Sequence, residues 1–197
     1  WGLYCLQERI DGSYIESHYG VPKENVVVLK NKNVVEGEAG DYRLYALVLE
    51  FAKNNDLSIT ENYEKMKEFI DIQSYIDYYC FQIYVANSDS VTNNYALWRS
   101  KAIDNKEYCD GRWRWILYDT DDSAGMIDSD GLTAPETNTF KDGYWDISPM
   151  EDLLFSSLIK NDEFKKQFVE SFKEIARTNF APDRVNRMID ELLKEYA

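Results

Sequence analysis

Histidine is almost missing from this chain: His18 is the only one in 197 residues. A His-based zinc site or a His-dependent catalytic triad is therefore poorly supported. Cysteine is scarce too, at positions 5, 80 and 109 with no Cys-x-x-Cys pair, which excludes a disulfide scaffold. Cys80 falls in an apolar helical pattern and reads as buried; Cys5 and Cys109 leave one disulfide open. Basic residues are outnumbered, 22 Lys and Arg against 36 Asp and Glu, for a net charge of −14. Such a chain repels nucleic acid and anionic membranes unless a basic patch overrides the average, and none is evident. A phosphate-bearing ligand would then need metal ions or a few well-placed basic groups. No signal peptide, membrane span, repeat or low-complexity tract is visible. The chain opens in WGLYCLQERI with no Met or leader, so it reads as cut from something longer.

What is present is a globular composition, 44% hydrophobic and 15% aromatic, long enough for one domain or a large domain with a small lobe. WGLYCLQERI alternates like a half-buried strand, and DGSYIESHYG reads as a short helix stopped by Gly20. ENVVVLKN is a β-branched strand, followed by a loop over residues 31–41. DYRLYALVLEFAKN and ENYEKMKEFI read as helices. DIQSYIDYYCFQIYVANS is the strongest helical pattern: Ile72, Tyr75, Ile76, Tyr79, Cys80 and Ile83 form a wide apolar stripe behind an Asp71 N-cap. NYALWRS and RWRWILYD are strand-like and joined by a polar linker ending in Asp-Gly, which predicts a hairpin with a long loop. Residues 126–149 read as an irregular segment. Three helices close the chain, with Phe164, Phe168, Phe172 and Ile175 on one face and Pro182 in the first turn of the last. The class is α+β.

The chemistry concentrates in NSDSVTNNYALWRS and RWILYDTDDSAG. A hairpin returns the chain, so Asp119 after its second strand comes back towards Asp89 and Asn94 before its first. Metal-dependent phosphoryl transfer uses such a set: a carboxylate to orient an attacking hydroxyl, and an Asn with an Asp to hold Mg²⁺ on phosphates. Ordinary polar strand ends contain the same residue types, and Asp-x-x-x-x-Asn is a common spacing. The buried helix before it and the hairpin closing on an acid are what raise it. Asp121 shares a side with Asp119 if the stretch is extended, as a second ligand or as plain geometry. Glu8, Lys30, Lys32 and His18 carry bland readings as solvated or structural residues beside any ligand role. Trp98, Trp113 and Trp115 read as packing, with an aromatic platform for sugars as the alternative. Two carboxylates alone would also suit a glycosidase.

Taken together, WGLYCLQERIDGSYI, SYIDYYCFQIYVANSDSVTNNYALWR, GRWRWILYDTDDSAG and the closing helical segment resemble the CotH family of spore-coat-type secreted kinases. The match in order and spacing covers nearly the whole chain. The resemblance implies an atypical protein-kinase-like fold: residues 1–40 as part of the N-terminal lobe with inter-lobe strands, and 41–197 as the helical C-terminal lobe. It implies ATP and Mg²⁺ as cofactors and a protein Ser or Thr hydroxyl, on surface or coat proteins, as substrate. Asp89 would be the catalytic aspartate; Asn94, with Asn93 beside it, and Asp119 would bind metal and nucleotide. Asp121 takes the second acidic position, and Glu8 sits near the adenine where the lobes join. The location implied is extracellular, on the cell surface or in the spore coat. Tyr118 stands where the family has Trp. The family's phosphate-holding Lys belongs to strands upstream of Trp1, so the chain reads as a fragment without them. The non-enzymatic alternative is a surface or spore-coat binding domain that keeps the fold without the activity.

Overall fold

The computed structural model describes residues 6–87, 94–121, 123 and 149–196. In chain order these form α1 (Gly12–Tyr19), β1 (Val26–Lys30), β2 (Asn33–Glu36), α2 (Tyr42–Asn54), α3 (Thr60–Phe69) and α4 (Ile72–Val85). They continue as β3 (Ala96–Ser100), β4 (Arg114–Ile116), α5 (Pro149–Leu158), α6 (Asp162–Thr178) and α7 (Pro182–Tyr196). The architecture is α+β: several helices and a small open antiparallel sheet in the order β2-β1-β3-β4.

The sheet is a buried middle layer because both of its faces are apolar. Val27, Leu29, Leu97, Trp113 and Trp115 join the large core with α2, α3, α4, α5 and α6. Val26, Val28, Ala96, Trp98 and Ile116 point the other way, packing with Ile15 of α1, Val21 and Cys109. Alternation along a strand sends successive side chains to opposite faces, so a continuous apolar run such as VVVL fits a strand covered on both sides. Trp98 and Trp113, one on each face, are wholly buried, and the three tryptophans serve as packing.

Capping sets the helices. Asp11 accepts from the amides of Ser13 and Tyr14 to start α1, and Gly20, at φ 68°, stops it. Asp71 accepts from Ser74 N to start α4, as its sequence position predicts. Asn161 opens α6 by accepting from the amides of Glu163 and Phe164 and donates to Leu57 O at 3.0 Å. That one buried side chain ties α6 to the segment before α3. The phenylalanine face of α6 lies along α4 and α5: Phe164 is 6.2 Å from Tyr75, Phe168 is 5.5 Å from Phe155, and Phe172 is 6.0 Å from Tyr84, between ring centroids.

Two expectations are corrected. Residues 6–10 form no strand despite their alternation; residues 1–5 of that pattern lie outside the described residues. Residues 31–41 are not simply a loop, because 33–36 form the edge strand β2. A two-residue turn makes the hairpin: Asn31 at φ 49° and Lys32 at φ 67° are both left-handed, and Lys30 pairs with Asn33. Two left-handed residues in a row match the right-handed twist of paired strands. The expected irregular segment 126–149 lies outside the described residues, except Pro149, which opens α5.

Candidate functional site

Three segments meet at one end of the sheet. The first is the end of α4, where Ala86 turns left-handed at φ 52° and Asn87 is wholly buried. The second is the start of β3, with Asn94 and Tyr95 just before it. The third is the stretch leaving β4, Leu117 to Asp119. Because Ala96 pairs with Ile116, Asn94 precedes one member of that pair and Asp119 follows the other. Asn87 Nδ2 donates to the Asp119 carbonyl at 3.3 Å. Tyr78 of α4 donates its hydroxyl to the Asn94 carbonyl at 3.4 Å.

Asn31, in the β1–β2 turn, binds two of these segments. Its Oδ1 accepts from Tyr95 N at 3.2 Å and from the Tyr118 hydroxyl at 3.3 Å, and its main-chain N–H donates to Tyr95 O at 3.0 Å. The turn is therefore clamped to the start of β3 and the end of β4. The residue before it, Lys30, is held in the same place: its ammonium lies 4.4 Å from the centroid of the Tyr118 ring, a cation–π contact.

Beside this junction is a cavity of about 530 Å³ lined by Glu8, Arg9, Ile10, Tyr14, Lys30, Tyr118 and Asp119, among others. Its size is within the range of small-molecule sites. Lys30 and Arg9 supply its basic groups. Arg9 is paired with Asp11 at 3.3 Å, whereas Lys30 forms no ion pair among the described residues. Of the residues singled out in the sequence, Glu8 and Asp119 share this cavity, and Asn94 is buried at the adjoining strand start. Glu8 also accepts a bond from His18 Nε2 at 2.8 Å, so His18 has a structural partner. Asp121 is exposed. Asp89, with Asn93, lies outside the described residues.

Lys30, which the sequence places at a strand end, is the last residue of β1, half-buried, on the face that Tyr14 and Tyr118 share. The available signal was its place at the end of the β-branched run VVVLK.

Asp119 has φ 52°, a left-handed conformation that Asp tolerates better than most non-glycine residues. It turns the chain sharply at the mouth of the cavity. Below it, β4 is anchored by ions: Arg114, nearly buried, binds Asp110 through Nη1 and Nη2 at 2.9 and 2.6 Å and approaches Asp71 at 3.1 Å. Burial raises the Asp110 carboxyl, but the bonds from Arg114 and Arg112 outweigh it and hold the group well below the usual carboxylate range. Asp71 is also the N-cap of α4, so this network joins the helix to the strand that leads to Asp119.

The donors that the sequence singles out are all oxygens: the carboxylates of Asp119 and Asp121 and the amide of Asn94. This set suits a hard cation and not zinc or another soft metal. Among the described residues no three His, Cys, Asp or Glu side chains gather as a self-sufficient metal cage. Mg²⁺ held on phosphates needs only one or two protein oxygens, with waters and the phosphates completing its shell. The residues present fit that mode.

The model of the CotH kinase protein family matches residues 1–197, and the chain belongs to that family. No curated protein and no solved structure matches the chain. No helix among the described residues is long and apolar enough to cross a membrane.

Proposed function

We propose that the chain is a CotH-type protein kinase domain that transfers the γ-phosphoryl group of ATP to Ser or Thr hydroxyls of surface or coat proteins outside the cell. In this reading residues 1–40 belong to a nucleotide-covering lobe and 41–197 to a helical lobe, as in protein kinases. The observation that supports it most is the cavity that brings Lys30 and Asp119 together, beside Asn94. An acidic chain that handles ATP needs fixed cations for the phosphates, and Lys30 is a basic group of this cavity with no ion pair among the described residues.

Asp89 orients the substrate hydroxyl and accepts its proton. Lys30 faces the phosphates as a point charge and keeps its stem and ammonium against Tyr118. Asn94 and Asp119 would hold Mg²⁺, with Asp121 as a further carboxylate; the ion, when bound, supplies neutralisation of the phosphate charge. Glu8, tethered by His18, borders the adenine end of the cavity.

The test is ATP binding by titration calorimetry, with and without Mg²⁺. Asp119→Ala abolishes the Mg²⁺-dependent part of binding, and Lys30→Met lowers affinity at least about tenfold, the worth of one charge-assisted contact. Undiminished binding in both variants sinks the assignment.

A further inference from the structure

The other end of the hairpin carries a second cavity, unrelated to the junction above. It encloses about 510 Å³ between α2, α3 and the far end of β3, and is lined by Leu44, Leu47, Val48, Phe51, Phe69 and Trp113, with Ile103 at its rim. Arg99, five residues along from Asn94 in an extended segment, puts it roughly 15 Å from the proposed ATP site. Leu47 and Ile103 are 47% and 74% exposed, so the apolar wall is open to a ligand.

Four lining residues depart from this apolar character: Glu68, Arg99, Asp110 and Gly111. Glu68 is paired with Lys65. Both oxygens of Asp110 are bound by Arg112 and Arg114. Arg99 differs. Its Nε donates to Ser100 O at 3.3 Å, and its guanidinium lies 5.7 Å from the centroid of the Trp113 ring, but no ion pair to it exists among the described residues. Gly111 at φ 74° leaves room for it: a Cβ there would lie 3.0 Å from Arg99 Nη2 and 3.3 Å from Ile103 Cδ1. Burial pulls the guanidinium below its ordinary range, against the opposing influence of Asp41 and Asp110.

A half-buried guanidinium without a carboxylate, set at the base of an apolar cavity of ligand size, is a receptor for one anion on an apolar body. We propose that this cavity binds a small aliphatic or aryl monocarboxylic acid, its carboxylate on Arg99 and its hydrocarbon between Leu47, Phe51, Phe69 and Trp113. Among the described lining residues Arg99 is the one charged side chain without an ion pair, so the complementary ligand carries a single acidic group. An extended peptide would bring a row of amides, and the apolar side chains of α2 and α3 offer them no partners.

The experiment uses decanoate and 1-decanol, which share a chain and differ in charge, titrated into the intact protein by calorimetry. Decanoate binds at least about tenfold tighter than decanol, the scale of one charged hydrogen-bonding pair. Arg99→Met keeps a long apolar stem and removes this preference. Leu47→Glu, at an exposed helix position, weakens decanoate at least about tenfold by placing a like charge in the wall, and it carries the test if Arg99→Met does not fold. Equal binding of acid and alcohol by the unaltered protein overturns the proposal. So does an Arg99→Met protein that still prefers the acid, or a Leu47→Glu protein that binds decanoate as before.

Discussion

Asn87 donates its side-chain amide to the main-chain carbonyl of Asp119, 3.3 Å away across 32 positions of sequence. The bond joins the end of the most buried helix to the turn that leaves β4. Asn87 is wholly buried, so losing its amide removes this bond and opens a hole. Asn87→Ala is expected to cost about 1–3 kcal/mol in urea unfolding. Asn87→Asp keeps the shape but replaces the donor with an acceptor, and it should destabilise at least as much at neutral pH. If Asn87→Asp unfolds like the unaltered protein, this bond does not hold the turn.

The backbone at Asp119 gives a second, opposing expectation. At φ 52° the residue occupies a region that disfavours a Cβ by about 1–2 kcal/mol and that Gly enters freely. Asp119→Ala should therefore be less stable than Asp119→Gly by about 1 kcal/mol. Both variants lose Mg²⁺-dependent nucleotide binding under the proposed function, so stability and binding separate at one position. Thermal melting of the pair checks the first half, and equal transition temperatures would contradict the left-handed geometry.

The helices and the central hairpin were legible because their signals are local: apolar stripes, an Asp71 cap, β-branched runs and an Asp-Gly turn. β2 was not, since NVVE is a short edge strand formed by pairing with β1 and its turn uses Asn-Lys where Asn-Gly is the usual sign. The opening alternation misled for the converse reason: residues 7–10 border a cavity, and 6–10 find no strand partner among the described residues. The proximity of Asp119 to the end of α4 followed from hairpin logic. Lys30 did not, because its position depends on Asn31 bonding across the sheet to Tyr95 and Tyr118, a long-range arrangement that no local pattern encodes.

That clamp is itself testable. Asn31→Gly preserves the turn, since glycine accepts φ 49°, but removes the oxygen that holds Tyr95 N and the Tyr118 hydroxyl. The fold should survive with a loss of about 1–2 kcal/mol. Lys30 and Tyr118 would no longer be fixed together, so ATP affinity should fall in a protein that still melts cooperatively. Full affinity in Asn31→Gly would mean that Lys30 is positioned by its strand alone.

Asp110 sets the response to acid. Its carboxyl is raised by burial but lowered further by the bonds from Arg114 and Arg112, for a net depression. A group whose folded value lies below its unfolded value stabilises the fold above the unfolded value, about 3.9 for Asp, and loses that contribution as pH falls through the folded value. Asp110→Asn leaves Arg114 with Asp71 as its remaining carboxylate, and is expected to cost about 2 kcal/mol at pH 7. The difference between the variant and the parent should persist down to about pH 4 and narrow below it, as the parent's carboxyl takes up its proton. Urea unfolding at pH 7, 5 and 3 measures the gap. A gap that stays constant down to pH 3 would show that the Asp110 charge is not what anchors β4 to α4.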